Sequence, residues 1–149
     1  MLKEKLQQDI KDALKSGDSK KRMVLGMVLS AIKNKEIEKR SELGDDDTIA
    51  VIASEIKKRK DSVEQFEKGG RPELAEGERK EGEMLMAYMP EQMSEEEVRK
   101  IVENTIKDMA LPAGALAQAG KVIGAVMAKI KGKADGTLVS KLVKELLSR

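Results

Sequence analysis

Gly120-Lys121-Val122-Ile123-Gly124-Ala125-Val126-Met127-Ala128-Lys129-Ile130, then Lys131-Gly132-Lys133-Ala134-Asp135-Gly136, then Thr137-Leu138-Val139-Ser140-Lys141-Leu142-Val143-Lys144-Glu145-Leu146-Leu147-Ser148-Arg149 reads as two short helices around a glycine-bracketed basic turn. In the first part Ile123, Val126, Met127 and Ile130 fall at i, i+3, i+4 and i+7, one apolar stripe on a 3.6-residue period. In the last part Leu138/Val139, Leu142/Val143 and Leu146/Leu147 recur four apart. Gly132 is placed to end the first helix in a left-handed conformation. Asp135 or Thr137 can cap the second. A helical hairpin is expected, with its apolar stripes inside and its lysines outside.

Charge is unevenly spread over the chain. Residues 120–149 carry seven Lys or Arg against Asp135 and Glu145, a surplus of five, while the whole chain nets only +2. Residues 1–119 are therefore slightly acidic, and the basic character belongs to the tail.

The 149 residues suffice for one domain or two small ones with a real core. Phe66 and Tyr88 are the only aromatics, so Leu, Ile, Val, Met and Ala must fill that core, which suits packed helices better than a sheet. Cysteine and histidine are both absent. No disulfide can form, a zinc site would need carboxylates alone, and Ser–His, Cys–His and cysteine-glutaminase chemistry are excluded within this chain. No apolar run approaches the roughly 18 residues of a membrane span. Met1-Leu2-Lys3 opens directly into an amphipathic pattern, so no signal peptide is expected and the expected compartment is the cytoplasm.

Upstream of the tail the periodicities predict five further helices. Leu2, Leu6, Ile10 and Ala13 or Leu14 mark the first, stopped at Ser16-Gly17. Asp18 or Ser19 caps a second, apolar on most sides from Met23 to Ile32, which is expected to be the central core helix. Asp45-Asp46-Asp47 forms an acidic loop in which Asp46 or Asp47 can cap a third helix, from about Thr48 to Lys68, striped by Ile49, Ile52, Ile56, Val63 and Phe66. The run Lys57-Lys58-Arg59-Lys60 inside it fans around the helix and reads mainly as a solvated face. Gly69-Gly70-Arg71-Pro72 is a turn without the residues of a phosphate loop. The fourth helix, about Glu73 to Met89, carries Leu74, Leu85 and Tyr88 and is weakened by Gly77 and Gly82. Ser94-x-x-Glu97 is a capping box that opens a fifth helix with Val98, Ile101, Val102, Thr105 and Met109 on one face. Residues 110–119 are small and flexible. The expected fold class is all-α: an N-terminal four-helix domain over residues 1–92 and a three-helix tail domain over residues 93–149.

Several of these segments together resemble the GatB/YqeY family. They are Gly120-Lys121-Val122-Ile123-Gly124, the Lys131–Gly136 turn with its Leu/Val-rich closing helix, Tyr88-Met89-Pro90-Glu91-Gln92-Met93-Ser94, Val24-Leu25-Gly26-Met27-Val28-Leu29-Ser30-Ala31-Ile32-Lys33-Asn34, and Lys58-Arg59-Lys60-Asp61-Ser62. Each is weak alone; their order and spacing run over nearly the whole chain. In that family a similar tail ends the B subunit of the tRNA-dependent Asp/Glu amidotransferase.

The resemblance implies a tRNA-binding or RNA-binding accessory protein, related to a carbon–nitrogen ligase that uses glutamine as amido-N-donor. The partners it implies are tRNA or another structured RNA, and a tRNA synthetase or amidotransferase complex. No catalytic residue, metal ligand or cofactor motif is visible, so the chain is not expected to catalyse alone. The candidate nucleic-acid-binding residues are Lys121, Lys129, Lys131, Lys133, Lys141 and Lys144, with Gly120, Gly124, Gly132 and Gly136 as positions where the backbone can turn or approach closely. Lysines supply phosphate contacts; with no aromatic in the tail to stack on bases, RNA would be read by shape and backbone. The alternative reading is a helical protein–protein adaptor whose basic tail is merely solvated.

Overall fold

The computed structural model describes residues 1–112 and 114–148. Among them there are seven α-helices and no strand: α1 Leu2–Ser16, α2 Ser19–Lys39, α3 Asp45–Lys68, α4 Pro72–Met86, α5 Glu95–Asp108, α6 Ala119–Ile130 and α7 Gly136–Leu147. A short 3-10 turn, Leu116–Gln118, precedes α6. Part of the 110–119 stretch expected to be flexible, Ala113, lies outside the described residues. The chain forms two compact units, Met1–Met89 and Pro90–Arg149.

In the first unit the helix ends follow local chemistry. Gly17 ends α1 at φ 77, where a glycine bears no Cβ penalty. Asp18 caps α2 by accepting the Lys21 N–H at 3.1 Å. The start of α3 differs from expectation: the helix begins at Asp45 after Gly44, no side chain caps it, and Asp45, Asp46 and Asp47 occupy its first turn. There they favour the positive end of the helix dipole, and Asp45 also accepts the Leu2 N–H at 3.0 Å. Pro72 takes the first position of α4, where its missing N–H costs nothing.

Leu6, Val24, Leu25, Val28, Ile32, Ile52, Ile56, Leu85 and Tyr88 build this unit's core. Leu74, read as part of the α4 stripe, is 42% exposed, and Ala75 points inward instead. α2 is central only along one side; Met23 and Met27 on its other side are more than half exposed.

The basic run of α3 is not a uniform solvated face. Arg59 is buried and reaches back one turn to the buried Glu55, with Nη1 3.1 Å from Oε2 and 3.0 Å from the Glu55 carbonyl oxygen. Lys58 pairs with the same carboxylate from outside, at 3.2 Å. Four consecutive residues point around most of a turn, so one of them had to face inward.

Two other polar ties hold the first unit. Lys3 Nζ donates to Glu36 Oε1 at 2.8 Å, and the Leu43 N–H donates to Glu36 Oε2 at 3.0 Å. Both hydrogen bonds favour the ionised form and hold this carboxyl below the usual range. The Tyr88 hydroxyl donates to Asp9, and Lys5 lies over the ring at 5.3 Å. Burial first, then Asp9, push the phenol well above its ordinary value.

The second unit has its own core of Val98, Val102, Val122, Val126, Ile130, Val139, Leu142, Val143 and Leu147. Ser94 Oγ accepts the Glu97 N–H at 3.2 Å, the serine half of the expected capping box. On α6 the buried line is Ala119, Val122, Val126 and Ile130, with Ile123 and Met127 packed at its edge. The stripe is thus rotated by about one residue from the Ile123-centred reading.

Candidate nucleic-acid interface

The six candidate lysines all lie in the second unit, and all are exposed. Lys121 lies in the first turn of α6 and Lys129 in its last; Lys131 and Lys133 stand in the connection to α7; Lys141 and Lys144 lie along α7. Helical spacing explains their exposure. At about 100° per residue, Lys121 falls roughly 140° from Val126, and Lys141 roughly 160° from Val143. Lys144 is about 100° from Val143, on the same flank as Lys141. Lys129 is only about 60° from Val126, at the margin of the core.

That margin position gives Lys129 a second occupation. Its Nζ donates to Thr105 Oγ1 at 3.0 Å and stands 3.8 Å from Asp108 Oδ2, both on α5. Thr105 is itself buried and donates to the Ile101 carbonyl oxygen at 2.7 Å. From the sequence Thr105 was read only as part of the α5 face and Asp108 was not named; they are 24 and 21 positions away, and only the packing of α5 on α6 brings them to the lysine. Lys129 therefore ties α6 to α5 besides presenting charge.

The connection between α6 and α7 has a defined shape. Lys131 ends α6 in the left-handed region, φ 51, and its N–H donates to the Met127 carbonyl oxygen at 3.1 Å. Gly132 follows at φ 81. The left-handed cap expected at Gly132 is thus carried by two consecutive residues, the first of them a lysine. Asp135, rather than Thr137, caps α7 by accepting the Thr137 N–H at 2.8 Å.

Two bonds then hold this turn from the segment ahead of α5. Gln92 Nε2 donates to the Gly132 carbonyl oxygen at 3.0 Å, and the Met93 N–H donates to the Lys133 carbonyl oxygen at 2.7 Å. The Pro90–Ser94 segment and the Lys131–Gly136 turn, far apart in sequence, are one structural feature. The turn's backbone is fixed from behind while the Lys131 and Lys133 side chains face outward.

The four glycines divide. Gly132 needs its conformation. Gly120 and Gly124 are exposed on α6, and an added Cβ at either would meet nothing within 4 Å. Gly136 opens α7 beside the Met127 methyl group, which a Cβ would approach to 3.7 Å, ordinary contact. Neighbouring acids temper the basic surface: Arg99 lies 3.9 Å from Glu95 and 3.7 Å from Glu145. Among the described residues no group of three or more Asp or Glu side chains is placed to hold a metal ion, and no helix is long and apolar enough to cross a membrane.

Comparison with known proteins gives a family match along nearly the whole chain: residues 3–147 match the family described as Yqey-like protein. Curated relatives carry the name altered inheritance of mitochondria protein 41, mitochondrial. The one from Pyrenophora tritici-repentis is 29% identical over 146 residues, 96% of this chain and 79% of the relative. That from Vanderwaltozyma polyspora is 33% identical over 107 residues, 70% of this chain and 58% of the relative. That from Eremothecium gossypii is 35% identical over 85 residues, 56% of this chain and 46% of the relative. The match thus spans about half the length of the latter two.

Proposed function

The chain belongs to the YqeY-like family, and on that premise we propose that it is an RNA-binding accessory protein whose tail engages tRNA or another structured RNA. In this reading residues 1–92 and 93–149 act as separate domains, and the second carries the RNA. The observation that carries it is the outward-facing Lys131 and Lys133 on a turn whose backbone is pinned by Gln92 and Met93. Cations on a preorganised loop lose less freedom on binding a phosphate than cations on a loose one. Lys121, Lys141 and Lys144 extend the charge. Lys129 contributes less, since binding phosphate would compete with Thr105 and Asp108. The absence of aromatics in residues 90–149 argues for backbone and shape recognition.

The relation to a glutamine-dependent amidotransferase enters as assistance to a tRNA synthetase or amidotransferase complex rather than as chemistry of this chain. It carries no cysteine, histidine or nucleotide-binding loop with which to act alone. The expected cytoplasmic setting remains part of the proposal; the fungal relatives are named mitochondrial, and an organelle interior would serve the same reading.

The test is tRNA binding at several salt concentrations. Engaging three to five phosphates makes affinity fall roughly fifty- to five-hundredfold between about 50 and 200 mM salt. Changing Lys131, Lys133, Lys141 and Lys144 to Glu, with Lys129 left in place, weakens binding and flattens the slope. Wild-type affinity in a folded quadruple variant gives the function to the adaptor reading.

A further inference from the structure

The most apolar helix of the first unit keeps one side uncovered. α2 buries Val24, Leu25, Val28 and Ile32, while Met23 and Met27 are 56% and 51% exposed. These methionines border an open groove of about 920 Å³, walled also by Ile10, Arg22, Gly26 and Lys58. A surface helix needs one apolar face for its own core, so a second one is beyond what this unit's folding requires.

Gly26 lies in the groove, and an added Cβ there would meet nothing within 4 Å. Glycine in mid-helix is unfavourable relative to alanine, and nothing inside the protein crowds this position. Packing within the chain gives no reason for a glycine; the close approach of another backbone does. Methionine walls adapt to varied apolar side chains.

The charges indicate the occupant. Arg22 and Lys58 are the exposed charged groups of the lining, and both are cationic. The acidic lining residue, Glu55, is 8% exposed and already paired with Arg59 and Lys58. Arg22 stands in the first turn of α2. Lys58 also borders, with Ala31, Lys35 and Lys39, the adjoining recess towards the far end of α2. At that end the groove is lined on α2 by Ala31 and Asn34, nine and twelve helical residues beyond Arg22, about 14–18 Å along the axis.

We infer that this groove seats an acidic amphipathic α-helix of a partner protein. Its apolar residues at i, i+3, i+4 and i+7 lie over Met23, Gly26 and Met27, and carboxylates about three turns apart meet Arg22 and Lys58. This surface lies in the first unit and is independent of RNA binding by the tail.

The experiment uses the full chain and two synthetic amphipathic helical peptides with the same leucine face, one edged with glutamates and its twin with lysines. The glutamate peptide binds, and the twin binds about tenfold more weakly, because two exposed ion pairs change sign. The double variant Arg22→Glu/Lys58→Glu reverses that preference. Gly26→Leu loses binding by about tenfold or more while its thermal midpoint is unchanged or higher, which a merely structural glycine would not show. Met27→Lys, at an exposed position, loses binding in the same way and serves if Gly26→Leu unfolds. Equal binding of both peptides, binding of neither, or undiminished binding by Gly26→Leu and Met27→Lys overturns the inference. A peptide-free dimer in sedimentation that Met27→Lys dissociates also overturns it, giving the groove to a second copy of the chain.

Discussion

Lys129 and Thr105 are joined by a 3.0 Å hydrogen bond that links the last turn of α6 to the last turn of α5. Lys129→Glu removes this bond, leaves the buried hydroxyl without its donor, and sets a second carboxylate beside Asp108. A loss of about 1 kcal/mol follows. Lys133→Glu is expected to stay within about 0.5 kcal/mol of the parent. Denaturant unfolding of the two single variants checks this; a Lys129→Glu protein as stable as Lys133→Glu would show that the bond carries no weight. RNA-binding tests that include Lys129 would mix lost charge with lost packing.

The consecutive left-handed residues respond in opposite directions. Lys131 bears a Cβ at φ 51, so Lys131→Gly relieves strain and stabilises by up to about 1 kcal/mol. Gly132→Val places a β-branched residue at φ 81 and destabilises by about 1–2 kcal/mol or more. Thermal melts of the pair read both signs, and a Gly132→Val protein that melts with the parent contradicts the strain assigned here.

Glu55 and Arg59 form a pair whose side chains are 10% and 7% exposed. Arg59 Nε, moreover, is buried without a hydrogen-bond partner. Glu55→Ala leaves a buried guanidinium uncompensated and costs about 3 kcal/mol. Replacing both residues by leucine recovers most of that loss, because the pair's desolvation cost disappears with it. Chemical denaturation of the single and double variants separates the two cases: a double variant as unstable as Glu55→Ala would contradict this.

Glu36 gives the acid side of the stability profile a specific contributor. Its carboxyl is held below the usual range by Lys3 and the Leu43 N–H. A depressed folded-state value means that the contribution is complete above the unfolded-state value, about 4.3. It is lost as pH falls through the lower folded value. Glu36→Gln is therefore less stable than the parent at neutral pH, and the two converge in strong acid. Urea midpoints from neutral pH to about pH 2 check this; a constant gap across the range would assign the loss to something other than ionisation.

The all-α fold was legible because its signals are local. Gly17, Asp18, Ser94 and Asp135 act within a turn of themselves, and stop or cap their helices as their residue types suggest. What needed the structure was direction. The α6 stripe centres on Val122 rather than Ile123 because α5 and α7 together decide which edge is covered. Arg59 looked like one cation among four; it is buried because α3 meets other helices on that side. The candidate lysines were readable as exposed from their offset to the apolar stripes. The tether on Lys129 was not, since Thr105 and Asp108 reach it only through tertiary packing.

Tyr88 also makes the first unit optically distinct. It is the single tyrosine, no tryptophan is present, and Phe66 belongs to the same unit, Met1–Met89. Residues 90–149 therefore contribute nothing to intrinsic fluorescence. The emitting phenol donates to the Asp9 carboxylate and packs among the residues of the first core, so its intensity reports on whether α1 is in place. Far-ultraviolet circular dichroism weighs the helices of both units. Recording both signals through one thermal ramp separates the melting of the tail from that of the bundle without any label, because every transition seen only in the dichroism belongs to residues that cannot emit.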